Sequence, residues 1–229
     1  KEQGYNYFYW PDIAPYSHNP ERDNFSQVVL ENILKNSLEK LNPHVPGYAR
    51  KDAFERIINL GTNDLMVNNE KFHTYLTDWI TVEFFRDGET RHEIVKLLDV
   101  KNPLNNDFTV VNQFVIKENN IEKRLDVVIF VNWLPLVIAE LKNANDEKAT
   151  LDRAFNQISN YKKAIPHIFY YNALCIISDW LDARTASVSA PFSRYLSWKW
   201  PKERIKEILA KEPITFEYPS IAMIVADWS

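Results

Sequence analysis

From Asn24 to Leu41 the apolar residues Phe25, Val28, Val29, Ile33, Leu34, Leu38 and Leu41 recur at helical spacing. Asn24 with Gln27 resembles a capping box and Asn42-Pro43 ends the run, so a first amphipathic helix is predicted there. A second helix is predicted from Pro46 to Leu60, with Pro46 at its start and Gly61 past its end, and a third from Leu65 to Leu76 with Phe72 and Tyr75 inward. The period then changes. Ile80–Arg86, the dipeptide Asp87-Gly88 and the run from Glu93 to Leu98 read as a β-hairpin whose turn residues tolerate positive φ. Phe108 to Lys117 adds a strand with Val110, Gln113 and Val115 among its inward candidates. Leu125 to Val131, the turn Asn132-Trp133-Leu134-Pro135, and Leu136 to Lys142 give two strands apolar enough to be central in a sheet. Leu151, Ala154, Phe155 and Ile158 make one face of a helix from Thr150 to Ala164, stopped by Pro166, and Ala173 to Ser178 is a buried strand after it.

Strand, helix, strand on one sheet is a crossover unit, so the fold class is α/β, with a mixed central β-sheet flanked by helices. A short strand near Thr185 to Val188 and a helix from Pro201 to Lys211 follow, and Ser220 to Ser229 look like the start of a further element. Residues 1–23, rich in Tyr, Pro and Asn without a period, read as an extended arm over a surface.

Composition narrows the function classes. Only four glycines are present in 229 residues, none is followed by Lys, and none lies beyond Gly88, so neither a P-loop nor a GxGxxG loop can be written. The single cysteine, Cys175, forbids an internal disulfide and a cysteine-rich zinc site, and its apolar run marks it as a buried core thiol. No histidine pair has metal-ligand spacing. No stretch approaches the roughly 18 uncharged apolar residues of a membrane span, and there is no signal peptide, which points to the cytoplasm and away from membrane partners. The absence of an initiator Met and the abrupt end suggest a piece of a longer chain. A net charge of -4 does not advertise a nucleic-acid binder, although a metal-dependent nuclease must place carboxylates at its site.

The chemistry concentrates at Asp126 and Glu140-Leu141-Lys142. Alternation puts Glu140 and Lys142 on one strand face, about 7 Å apart, while Leu141 points into apolar packing. With the turn centred near Trp133, Asp126 lies across from Glu140, Cβ atoms roughly 5 Å apart. Like charges opposed in an apolar hairpin cost several kcal/mol unless compensated, and a divalent cation is the natural partner. Two carboxylates, a backbone carbonyl such as that of Leu141, and waters suit Mg²⁺ or Mn²⁺. Lys142 then stands where charge builds on a phosphorane. A Glu-x-Lys pair alone is more often a solvated ion pair; here the apolar runs on both sides argue for burial. Gln157 and Tyr161, spaced i, i+4 on the following helix, border its apolar stripe and can look toward the carboxylates, although alone they read as an ordinary pair on a helix edge. Lys148, Arg153, Lys162 and Lys163 are placed to meet phosphates. Trp198 and Trp200 among Lys199, Lys202, Arg204 and Lys206 read better as part of a solvated helix, because Glu203 and Glu207 interleave.

Asp126, Glu140-x-Lys142 and Gln157-x-x-x-Tyr161 resemble the PD-(D/E)xK nuclease pattern with its trailing QxxxY motif. The surrounding sequence is similar to the N-terminal nuclease domain of the R (restriction) subunit of type I restriction-modification enzymes. That similarity runs through Asn68-Asn69-Glu70-Lys71-Phe72-His73, Asn105-Asn106-Asp107-Phe108, Val111-Asn112-Gln113-Phe114, Arg124-Leu125-Asp126, the run from Glu140 to Tyr161, Ser178-Asp179 and Pro191-Phe192-Ser193-Arg194-Tyr195. One departure is Leu125 where the family has Pro before the first Asp.

The resemblance implies a restriction-endonuclease-like fold and a Mg²⁺- or Mn²⁺-dependent endodeoxyribonuclease. Asp126 and Glu140 would bind the metal, Lys142 would assist the attacking water, and Gln157 with Tyr161 would support cleavage or position the scissile strand. It implies a double-stranded DNA substrate, methyltransferase and specificity subunits as partners, and a motor that uses ATP, for which this chain has no P-loop. The corresponding organisation is an arm over 1–23, an endonuclease-like domain over 24–200, and a helix and linker toward the motor over 201–229. Two other readings stand beside it: a standalone nuclease of the same superfamily, and a catalytically silent docking module. In the silent module, Lys142 would bridge both acids in a closed cluster without room for a metal.

Overall fold

A computed structural model describes residues 6–18, 20–142, 150–179 and 182–197. The expected helix from Pro201, the tryptophans 198 and 200, and Lys148 lie outside them. In chain order the principal elements are β1 (Asn6–Tyr9), α1 (Glu31–Leu41), α2 (Gly47–Ile58), α3 (Leu65–Thr77), β2 (Ile80–Arg86), β3 (Glu89–Val95), β4 (Phe108–Glu118), β5 (Ile121–Val131), β6 (Leu134–Leu141), α4 (Leu151–Ala164), α5 (Pro166–Phe169), β7 (Leu174–Ser178), β8 (Ala183–Ala186) and β9 (Leu196–Ser197). Seven strands form one mixed sheet in the order β1-β4-β5-β6-β7-β8-β9, and β2-β3 stand apart as a hairpin. The fold is α/β, as the periodicity implies.

The sheet centre is β4-β5-β6, antiparallel throughout. Toward the turn its strands are buried at consecutive positions, Val128, Ile129, Phe130 and Ile138 among them, and α4 packs against β5 and β6. β6 crosses over through α4 to the parallel β7, pairing Glu140 with Ile177 and Leu141 with Ser178. The Thr150 side chain caps α4 by accepting the Arg153 N–H.

Three expectations change. The first helix begins at Glu31, seven residues after the capping residue foreseen at Asn24. Asn24 Oδ1 accepts the Ser26 and Gln27 N–H groups and Gln27 Oε1 accepts that of Asp23, so the capping chemistry closes an isolated turn. The next residues, Val28, Val29 and Leu30, are buried in succession, which is not a helical period. The N-terminal segment is more than an arm: Asn6–Tyr9 pairs in parallel with β4, and Trp10, Ile13 and Ala14 are buried. Arg22 is buried in a cage of Trp10, Phe25 and Phe114 and donates to the carbonyls of Gln27 and Val115, pinning this segment to β4. Finally, the β5–β6 turn is two residues, Asn132 and Trp133, both with positive φ, and Pro135 lies inside β6. Because Pro135 has no N–H for the ladder, the register shifts beside it, between Ile129 and Phe130.

Candidate active site

Asp126 and Glu140 are brought together by the β5–β6 register. Past the shift the pairs run Ile129–Val137, Val128–Ile138 and Val127–Ala139, and the next step outward reaches Asp126 and Glu140. There the ladder gives way to side chains: Asp126 Oδ2 accepts the Leu141 N–H at 2.9 Å. The peptide of Leu141 thus meets Asp126 through its N–H, a contact not foreseen when its carbonyl was named as a ligand.

Glu140 is 3% exposed. Its Oε1 receives Lys142 Nζ at 2.5 Å, and its Oε2, fully buried, has no hydrogen-bond partner among the described residues. Burial, with the Asp126 charge adding to it, pushes the Glu140 carboxyl up to about 7 although Lys142 pulls the other way. The Asp126 carboxyl is also raised, by burial, against the opposing pull of the Leu141 N–H and Lys142. Among the described residues Lys142 pairs with Glu140 and makes no hydrogen bond to Asp126, and it keeps 26% of its side chain exposed. The closed cluster expected of a silent module, in which Lys142 bridges both acids, is not the arrangement found.

Helix α4 carries the other two candidates to the same place. Tyr161 is buried and its hydroxyl donates to the Arg124 carbonyl at 2.9 Å, tying the helix to β5 two residues before Asp126. Burial first, then the Glu140 charge, hold its phenol far above the usual range, and the Gln157 amide beside it partly offsets them. Of the expected phosphate-meeting bases, Arg153 is exposed, whereas Lys162 donates to the Val188 carbonyl at 2.6 Å and serves packing. Cys175 is buried, donates to Asn172 Oδ1, and has its thiol pushed up to about 11 by burial, which removes it as a nucleophile.

The donor set fits a hard divalent cation. Two carboxylates meet in a desolvated place; among the described residues one has an oxygen without a hydrogen-bond partner, and no third His, Cys, Asp or Glu joins them. Asp126 and Glu140 would hold such an ion.

The family described as "Type I restriction enzyme R protein N terminus" matches residues 1–194. The chain belongs to that family. The HindI type I restriction enzyme endonuclease subunit of Haemophilus influenzae is 39% identical over 204 residues, which is 89% of this chain and 19% of the relative. A putative type I endonuclease subunit of Methanocaldococcus jannaschii, MjaIXP, is 28% identical over 202 residues, covering 87% of this chain and 19% of the relative. The EcoprrI endonuclease subunit of Escherichia coli is 36% identical over 119 residues, half of this chain and 36% of the relative. The chain thus spans about a fifth of the length of the first two relatives. As a type I R-protein N terminus, its seven-stranded mixed sheet with flanking helices is the restriction-endonuclease-like fold expected from the sequence. No helix among its described residues is long and apolar enough to cross a membrane.

Several motifs shared in the resemblance hold the fold. Asn69 Nδ2 donates to the carbonyls of Phe169, Tyr170 and Asn172, fastening α3 to the α5–β7 connection. Asn106 and Asp107 clasp the β5–β6 turn. Sequence reasoning put Gln113 on the inward face of β4 but gave it no part in the site. Its Nε2 lies 3.5 Å from Asp126 Oδ1 and its φ is +55°, a left-handed conformation that costs a non-glycine residue about 1 kcal/mol or more. A glutamine in a strand carries no turn signal, so only the structure reveals this.

Proposed function

We propose that this chain is the metal-dependent nuclease domain of a type I restriction enzyme, hydrolysing phosphodiester bonds of double-stranded DNA. In the complete enzyme the cleavage follows ATP-driven translocation by a motor elsewhere in the R protein, within a cytoplasmic assembly with methyltransferase and specificity subunits. The observation that carries the reading is the buried Glu140 beside Asp126, with Lys142 on one oxygen and no hydrogen-bond partner for the other among the described residues, the Tyr161 hydroxyl near it being committed to the Arg124 carbonyl. The names of the relatives, all endonuclease subunits, support it.

Each residue then has a distinct task. Asp126, steadied by the Leu141 N–H, and Glu140 hold Mg²⁺ or Mn²⁺, with the Leu141 carbonyl as a further oxygen. The bound ion supplies Lewis-acid stabilisation of charge on the scissile phosphate. Glu140 must give up its proton for the ion to bind, so binding is tighter at alkaline pH. Lys142, anchored by Glu140 but partly exposed, presents its ammonium to the attacking water and the phosphate. Tyr161, its phenol kept neutral and its proton committed to the Arg124 carbonyl, positions β5 and does not transfer protons; Gln157 keeps that hydroxyl in place or grips the scissile strand.

Nicking of supercoiled plasmid by the chain with Mn²⁺ or Mg²⁺ tests this. Cleavage that needs the metal and falls at least about a thousandfold in both Asp126→Ala and Lys142→Ala is expected. Metal-dependent cleavage that survives in either variant would place the chemistry elsewhere.

A further inference from the structure

The β4–β5 ladder runs without a break in pairing from Phe108–Val131 to Glu118–Ile121 except at one position. Asn112 pairs with Val127 and Phe114 with Leu125, and the position between them, Gln113 opposite Asp126, is not paired. Gln113 is there in the left-handed conformation, with φ +55°, although neither neighbour nor the strand pattern calls for a turn. The register is the same on both sides, so the distortion inserts no residue. What it does is turn a side-chain amide onto Asp126 Oδ1, at 3.5 Å, while the opposite strand holds Oδ2 through the Leu141 N–H at 2.9 Å. Asp126 is therefore addressed from both flanking strands, one oxygen each.

We propose that Gln113 is a positioning residue: its left-handed backbone opens the ladder beside Asp126, and its amide orients that carboxylate for a divalent cation. This rests on the metal-dependent nuclease reading above. The physical reason is that a ligating carboxylate free to rotate must be ordered each time an ion binds, whereas one held by outer hydrogen bonds is already aimed. The 3.5 Å separation is long for a hydrogen bond, so the contact is one that shortens when Asp126 settles on an ion.

The test is Mn²⁺ binding by the whole chain, read calorimetrically and by loss of the free-ion electron paramagnetic resonance signal, with no DNA present. Gln113→Gly keeps the positive φ and removes only the amide; Gln113→Asn keeps an amide on a residue that tolerates the same backbone. Asp126→Asn is the reference for loss of the site. The expected result is binding about tenfold weaker in Gln113→Gly, partly restored in Gln113→Asn, with melting temperatures close to the parent's. A merely structural role would lower the melting temperature and leave the affinity, measured well below it, unchanged. Affinity within twofold of the parent in Gln113→Gly, with binding abolished in Asp126→Asn, overturns the role of Gln113 and leaves the nuclease reading standing. No binding by the parent chain overturns both.

Discussion

The β5–β6 hairpin buries a polar side chain equally well at each end, Asn132 at 2% exposure and Glu140 at 3%, yet the two ends are wired in opposite ways. At the turn, Asn132 Nδ2 donates to the Leu97 carbonyl and to Asn106 Oδ1, and its Oδ1 accepts the Asp107 N–H. Trp133 adds an indole N–H to Asp107 Oδ2, and Asn106 is itself tied to Asp99 and Pro103. At the open end, one oxygen of Glu140 has no hydrogen-bond partner among the described residues, and Asp126 is met on one side only at 3.5 Å. Burial does not separate a polar group that only holds the fold from one proposed to do chemistry. Completeness of its hydrogen bonding does, because an unfinished polar network costs stability and persists where something else is to complete it.

The comparison is broken most severely at the turn. Asn132→Ala removes three side-chain hydrogen bonds, strands the Leu97 carbonyl and Asp107 N–H groups, and forces alanine into φ near +51°. At about 1 kcal/mol per hydrogen bond, less some recovery by water, the expected loss is ~3 kcal/mol in urea unfolding. Asn132→Gly regains the backbone share and should lose only ~2 kcal/mol. Mn²⁺ affinity should not change in either variant so long as the chain is folded. A loss under 1 kcal/mol in Asn132→Ala would show that the turn network is less complete than its distances imply.

At the other end the sign reverses. The carboxyl of Glu140 is pushed up to about 7, above its ordinary value of 4.5, so the folded chain holds an extra proton between those values. Its stability is greatest below that window and falls as pH rises through about 7. The shift of Asp126 has the same sign and adds to the fall. Glu140→Gln removes the ionisation with little change of shape. In a chelator, the variant should be more stable than the parent by ~2 kcal/mol at pH 8 and indistinguishable from it near pH 5. Saturating Mn²⁺ should stabilise the parent and not the variant. A Glu140→Gln protein less stable than the parent at pH 8 in chelator would mean that the orphaned carboxylate is satisfied after all.

How much of this is legible in the sequence follows from which interactions are local. The hairpin register is legible only in part: the two-residue turn by itself pairs Phe130 with Pro135, and the shift beside Pro135, which no turn signal announces, is what brings Val127 onto Ala139 and sets Asp126 opposite Glu140. Gln157 and Tyr161 follow from helix geometry once the crossover is recognised. The misplaced start of α1 shows the limit of local chemistry, since Asn24 and Gln27 make the same bonds in a turn as at a helix start. The strand Asn6–Tyr9 is hidden because its partner residues, Thr109–Asn112, are about a hundred positions away and its own pattern is irregular. Gln113 and the orphaned oxygen of Glu140 are hidden for a further reason: each depends on a side-chain or backbone choice made only when β4, β5 and β6 are assembled.

Trp133 offers the finest cut, because it ties the completed end to the core through both its ring and its N–H. The indole lies in tilted contact with Phe8 and Phe130 and donates to Asp107 Oδ2 at 3.1 Å, from a residue with φ +64°. A bulky side chain in that conformation is strained, and the ring contacts together with the hydrogen bond hold it there. Trp133→Phe keeps an aromatic ring and the backbone but deletes the donor, leaving Asp107 Oδ2 to solvent while Asn6 keeps its bond to Oδ1. The expected cost is ~1 kcal/mol, the smallest of the three, since Asp107 is near enough to the surface to be rehydrated. In an Asp107→Asn background the same substitution should cost less, because the hydrogen bond it removes there is no longer to a charged acceptor. Equal costs in the two backgrounds would assign the role of Trp133 to ring packing, and the turn end would then differ from the Asp126–Glu140 end in shape as well as in completeness.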